Sequence, residues 1–412
     1  MRILVVSQYF WPENFRINDL VRELNARDHE VTVLTGRPNY PAGEIFPEYL
    51  QSPASFARFD GVTIHRVPML ARGSGSLRLA LNYLSFVLGA SLFAPWKLRG
   101  YRPDVIFVFE PSPVTVGFPA VFLGRIKRCP VVFWALDLWP ETLAAVGVIR
   151  HPVALSAVAG MVRFIYNRCT LVLGQSRSFL PSIARHCDDT SKVRYFPSWA
   201  EDLYQHQVDE PVPEIPKAPG SFNIVFAGNV GDAQDFPAIL DAADRLKHFN
   251  EIRWVIVGDG RRSAWVSEQV QARGLDDRVL LVGRYPIERM PAFYAMADVL
   301  LVSLKKDPTF SMTIPGKVQS YLAAGRPILG MLDGEGADVI ERAGAGMVCP
   351  AGDSEGLAEL IQKFAKTSTE ERQRMGESGR AYAQVEFDRG RLVTKLLNLL
   401  EEAISLHQQK QF

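Results

Sequence analysis

Two hydrophobic rhythms alternate along the whole chain. Short runs that are apolar throughout, RILVVS (2–7), EVTVLT (30–35), GVTIHRV (61–67), DVIFVF (104–109) and PVVFWA (130–135), predict strands buried on both faces. LVLGQS (171–176) and KVRYFP (192–197) continue the series. VDEPVPEIPKAPGS (208–221) then holds four prolines and no periodicity, which predicts a linker. After it the grammar restarts with FNIVFAG (222–228), IRWVIVG (252–258), RVLLVG (278–283), DVLLVS (298–303) and RPILGM (326–331). Helical stretches such as FPAILDAADRLKHF and SAWVSEQVQARG fall between these strands. Strand and helix in strict alternation predict a parallel sheet with helices on both faces, here twice over. The expected domains are residues 1–207 and 222–387, facing each other across a ligand-binding cleft. A final helical segment, 388–412, is expected to fold back across the linker.

One segment breaks the rhythm. LALNYLSFVLGASLFAPW (79–96) is nearly uncharged and is flanked by Arg72, Arg78, Lys97 and Arg99. Its length touches the lower limit of a membrane span. Asn82, a late proline and its place between two strands argue for a helix packed on the sheet. A helix lying partly in a bilayer surface, with its basic flanks on anionic lipid, is a second reading, and a true span a third.

Length and charge narrow the classes. A chain of 412 residues exceeds what one core serves, in agreement with two domains. A net charge of +1 leaves no electrostatic footprint for nucleic acid. Cys129, Cys169, Cys187 and Cys349 are scattered without metal-ligand spacing, which fits a reduced cytoplasmic compartment. MRILVVSQYF runs directly into a strand, so export is not expected.

Candidate chemistry gathers in the second half. A dinucleotide enzyme should show a glycine fingerprint after its first strand, and SQYFWPENFRIN has no glycine. FAGNVG instead places Gly228, Asn229 and Gly231 past a strand end, and Gly258 in IVGDGRR and Arg284 in VGRYP do the same. Such glycines allow a backbone to approach a phosphate. In TFSMTIPGKVQSYLAAGRPILG (309–330), Pro315 suits a first helical position and Gly325 a left-handed stop. The amides of Gly316, Lys317 and Val318 would then meet an anion beside the lysine charge. In the first half, Asp137 and Glu141 in ALDLWPE and Glu110 in FEPSPVTVG follow strand ends. Each could act as general base or electrostatic support at an acceptor, and Asp137 could equally cap the helix that follows.

FAGNVG, VGDG, VGRYP, the strand opening at Ala297–Val299 and LAAGRP (322–327) resemble the nucleotide-sugar domain of family 4 glycosyltransferases. LNARDHEVTVLTG (24–36) resembles that family's second-strand entry, with Asp28 at a place usually held by glycine. SQYFWPENFRINDL, GRPNYPAG, LDLWPE and TIPGKVQSY resemble transferases of O-antigen and capsule assembly, above all those handling N-acetyl-L-fucosamine. The resemblance implies the GT-B fold, retention of anomeric configuration and no bound metal or other cofactor. It further implies a UDP-sugar donor held by the strand-end glycines, Thr313, Gly316, Lys317 and Ser320. The implied acceptor is a polyprenyl-diphosphate-linked saccharide, reached from the inner face of an anionic membrane.

The chain also departs from the family. Met312 and Ser320 stand where most members carry two glutamates, and Gln234–Asp235 where Lys-Gly is common. Leu136 falls where many carry a histidine. Lys317 and Arg284 are therefore expected to replace the missing cations. These departures leave two further readings: a UDP-N-acetylhexosamine 2-epimerase on the same fold, and a scaffold that has lost its chemistry.

Overall fold

A computed structural model describes residues 1–73, 75–145, 147–204, 210–216 and 218–409. The chain forms two compact units, one of residues 1–196 and 393–412 and one of residues 197–392.

The first unit is built on an eight-stranded sheet. Its strands are β1 (Arg2–Val6), β2 (Glu30–Thr35), β3 (Arg58–Phe59), β4 (Val62–Arg66), β5 (Val105–Glu110), β6 (Val131–Ala135), β7 (Leu171–Gly174) and β8 (Val193–Tyr195). They lie in the order β3-β4-β2-β1-β5-β6-β7-β8, all parallel except the β3–β4 pair. The central strands are sealed as the sequence predicts, with every residue of β5 and β6 buried. The reversal at β1, whose neighbours are β2 and β5, opens the crevice typical of doubly wound sheets.

The second unit carries a six-stranded parallel sheet of β9 (Phe222–Ala227), β10 (Ile252–Val257), β11 (Val279–Gly283), β12 (Val299–Ser303), β13 (Ile328–Met331) and β14 (Gly346–Cys349). Their order is β11-β10-β9-β12-β13-β14, with the switch between β9 and β12. Helices Phe236–Arg245 and Ser354–Lys366 pack together, their buried faces joining Phe226 and Trp254 in one core cluster.

Two expectations at the boundary between the units differ from the structure. The chain enters the second unit after Phe196, ahead of the expected crossing near residue 207. Gln319 donates to the Ser198 carbonyl at 2.8 Å and Tyr204 stacks on Tyr294, so the segment after β8 already packs with the second unit. The proline-rich 208–221 stretch, of which 208, 209 and 217 lie outside the described residues, is docked there too. Ile215 is buried, and Arg289 grips both oxygens of Glu214 at 2.9 and 3.0 Å. The last helix, Arg389–Gln409, falls where the final helical segment was expected and belongs with the first unit from Val393 onward, where Arg27 donates to Thr394 and Arg194 pairs with Glu402.

The apolar segment is a helix, Ser76–Lys97. One side packs through Asn82, Phe86, Gly89, Ala90 and Ala94, while Leu77, Leu88, Leu92 and Trp96 stand 75%, 62%, 71% and 64% exposed. The reading of a helix buried on the sheet is therefore corrected: it is apolar all round but packed on one side.

Candidate nucleotide-sugar site

The glycines of the second unit converge. Gly228, Gly258 and Gly283 all have positive φ, at 138°, 144° and 78°. The strand ends are stitched side by side: the Gly228 amide donates to Val257, the Val230 amide to Asp259 and the Gly258 amide to Gly283. A Cβ on Gly258 would stand 1.9 Å from the Gly228 carbonyl oxygen, so the contact is backbone on backbone. Asn229 lies within this loop, its amide nitrogen 2.5 Å from where a Gly231 Cβ would be and its oxygen 2.6 Å from that of Gly260. Arg284 follows Gly283, and its charge helps the Ser263 hydroxyl and Gly260 amide hold Asp259 below the usual carboxylate range. Asp235, in the place where relatives carry glycine, has the left-handed φ of 51° that a glycine would supply.

The helix that opens on Lys317 runs Gly316–Ala324, with Pro315 one position earlier than expected, as the N-cap. Gly325 ends it at φ 67°. The Val318 amide turns back to the Pro315 carbonyl at 2.9 Å, which removes it from the expected set of anion donors. The amides of Gly316 and Lys317 open the helix and have no intrahelical acceptor.

Lys317 itself is not the solvated cation its sequence position suggests. Its residue is part-exposed, yet its amine is buried and meets no hydrogen-bond acceptor among the described residues. Nζ lies 3.3 Å from the centroid of the buried Phe226 ring, and Gly228 leaves room for its Cε. Burial holds the amine well below the usual lysine range. One turn along, Ser320 donates toward Glu201 at 2.9 Å and its own helix carbonyl, Gly316, at 3.0 Å. Thr313 donates to the Thr309 carbonyl, and Met312 ends the short helix Pro308–Ser311.

The first-unit carboxylates are committed differently. Asp137 accepts from the Leu138 amide (2.9 Å), the Trp139 indole (3.1 Å) and the Thr142 hydroxyl (2.6 Å). None of these is a first-turn amide of helix Glu141–Ala145, so it braces the loop after β6 rather than capping the helix, as its sequence position also allowed. Glu141 sits 3.3 Å from Arg185 and 3.9 Å from His186. Burial opposes its ionisation, but His186 and Arg185 outweigh that and hold it below the usual range. Glu110 is fully buried at the end of β5, with one oxygen 3.4 Å from the Asp137 amide and the other without a partner. Burial first, and the Asp137 charge second, push it well above the usual range.

Sequence reasoning missed Glu13. Its buried carboxylate accepts from the amides of Phe10 (3.1 Å), Asn39 (2.8 Å) and Tyr40 (2.8 Å), tying SQYFWPENF to GRPNYPAG. Tyr9, Phe15 and Tyr40 pack over the junction and Arg72 lies 5.3 Å from the Tyr40 ring. A glutamate before a helix carries no distinguishing sequence signal, although both segments it joins do.

Residues 14–199 match the Glycosyl transferase 4-like domain and residues 209–382 the Glycosyl transferases group 1 family. The chain is a glycosyltransferase of the GT4 and GT-B type. WcaI of Escherichia coli, named for glycosyl transfer in colanic acid biosynthesis, is 26% identical over 343 residues, 79% of this transferase and 82% of WcaI. The 2-deoxystreptamine N-acetyl-D-glucosaminyltransferase of Streptomyces fradiae is 24% identical over 378 residues, 86% of each chain. In fold, the transferase is similar to HepE from Anabaena in complex with UDP and glucose, at TM-score 0.67 and 15% identity over 97% of this chain and 99% of HepE.

Proposed function

We propose that the transferase moves a sugar from a UDP-sugar to a polyprenyl-diphosphate-linked saccharide, with retention of configuration, in O-antigen or capsule assembly. N-acetyl-L-fucosamine is the donor sugar to try first. The donor diphosphate rests on the helix-opening amides of Gly316 and Lys317, beside the glycine-lined strand ends and Arg284. The reading includes no bound metal. Charge on the departing diphosphate is then met by the amides and cations that bind it.

The lipid-borne acceptor is carried by one observation, the exposed apolar side of helix Ser76–Lys97. Phe122 and Ile126 of helix Gly117–Lys127, which packs against it, are likewise 43% and 47% exposed. Trp96 sits at one end with Lys97 and Arg99 about its ring, as an aromatic anchor with basic flanks sits at a lipid interface. The enzyme is thus peripheral on the inner face of the cytoplasmic membrane, each basic residue near the surface contributing about 1 kcal/mol.

Incubation with lipid-linked N-acetylhexosamine, a panel of UDP-sugars and EDTA, read by mass spectrometry, tests the chemistry. Product with one UDP-sugar is expected; no product with any would reject the reading, and product only after Mg²⁺ or Mn²⁺ is added would reject its metal-free part. Flotation with anionic vesicles should carry the protein at low salt and release it at high salt. Retention through alkaline carbonate would mean a spanning helix instead.

A further inference from the structure

An ammonium has three hydrogens to place, and the amine of Lys317 finds no oxygen among the described residues to receive any of them. It meets the Phe226 ring at 3.3 Å and the backbone of Gly228, where a Cβ would lie 2.6 Å from Lys317 Cε. One aromatic face offsets only part of what a buried charge loses in hydration. The ordinary resolution is that the group gives up its proton.

The elements packed against helix Gly316–Ala324 do not supply a counter-charge. Its own Tyr321 bonds the Ala227 backbone and Tyr294 stacks on Tyr204. Glu201 takes the Ser320 hydroxyl, Glu335 faces Arg342, and Arg380 donates to the Ala324 carbonyl. Burial alone accounts for the depressed basicity of the amine, with no contribution from any of these groups.

We propose that Lys317 is a neutral amine in the free transferase, and that a nucleoside diphosphate settling on the Gly316 and Lys317 amides draws it out and charges it with one proton from solvent. This rests on the donor reading above and adds its regulation by pH. One N–H bond forms, the proton comes from water or buffer, and no other bond changes. Binding and proton uptake are linked, so diphosphate affinity should fall about tenfold per pH unit between the free and bound values of the amine. The sign follows because the bound form holds the extra proton.

Calorimetric titration of the full chain with UDP, near pH 8 and again near pH 9, in buffers of different ionisation heat, counts the protons. This is about two units or more above the second ionisation of a phosphate, so the nucleotide is already fully charged. The wild type should take up about one proton per UDP. Lys317→Met, titrated at higher UDP, should take up none, and Lys317→Arg, which stays charged, should bind without uptake. UDP binding without uptake, or uptake unchanged in Lys317→Met, would overturn the proton step and leave the donor reading standing. Absence of UDP binding by the wild type would overturn both.

Discussion

Each unit of this glycosyltransferase buries an ionisable side chain with polar atoms left over, and the two have different surroundings. Glu110 closes the end of β5 with no exposed surface, one oxygen near the Asp137 amide and the other unpartnered. Lys317 is equally short of partners, but it stands at the exposed start of a helix, beside backbone that glycines keep bare. Both are driven toward the neutral form by burial. Of the two, only Lys317 belongs to a residue that reaches the surface, at a helix start where an incoming anion would meet free amides. An orphaned polar atom indicates a ligand when the chain around it leaves the ligand a way in.

The strongest way to break this contrast is to close that way in. Gly258→Ala would set a Cβ 1.9 Å from the Gly228 carbonyl oxygen, at a φ of 144° that side chains rarely adopt. Neither atom can swing aside, since the oxygen is backbone and the Cβ position is fixed by it. A loss on the order of 3–5 kcal/mol in urea unfolding is expected, with UDP binding abolished. Wild-type stability and binding together would show that the strand ends are not held as described.

Glu13 sharpens the contrast, because it is buried with its oxygens fully engaged. Burial nonetheless pushes it up to about 7 against the three amides that favour its charge. A carboxyl raised in the folded state holds its proton there while the unfolded chain has released it. Its contribution is therefore favourable at low pH, declines as pH rises from about 4.5 to about 7, and levels off above. The span corresponds to about 3 kcal/mol. The urea midpoint of wild type relative to Glu13→Gln should fall between about pH 5 and about pH 7.5. A difference independent of pH would mean that Glu13 is ionised throughout.

What could be read beforehand follows from how much signal each feature concentrates. The interior strands were legible because they are buried on both faces, which leaves no polar residue to blur the run. Arg58–Phe59 was not, being a two-residue antiparallel edge, and neither was Gly346–Cys349, hidden among glycines. The strand-end glycines and the Pro315 helix were legible because turn chemistry is local. The burial of Lys317 was not, because it depends on Phe226, ninety-one positions away in sequence and unremarkable in an apolar strand. The unit boundary at Phe196 was missed for the same reason: Gln319 and Ser320 hold the segment that follows it, and nothing in PSWAED announces that.

Asp137 is where the smallest effect decides the most about the first unit. Its sequence position after β6 suits a base, while three donors from Leu138, Trp139 and Thr142 occupy its oxygens and brace the loop. Asp137→Ala should then cost about 1 kcal/mol of stability, the net worth of a typical hydrogen bond. A bracing role touches turnover only by loosening the loop, so activity under conditions where the variant remains folded should fall less than tenfold. Asp137→Asn keeps an oxygen for the Leu138 amide and should recover most of the stability. It also relieves Glu110 of the neighbouring charge that raises it. If transfer instead drops by about 10²–10⁴, the range for removing a general base, while both variants unfold like wild type, Asp137 acts on the substrate. The contrast would then reverse, with the first unit's satisfied carboxylate doing the chemistry.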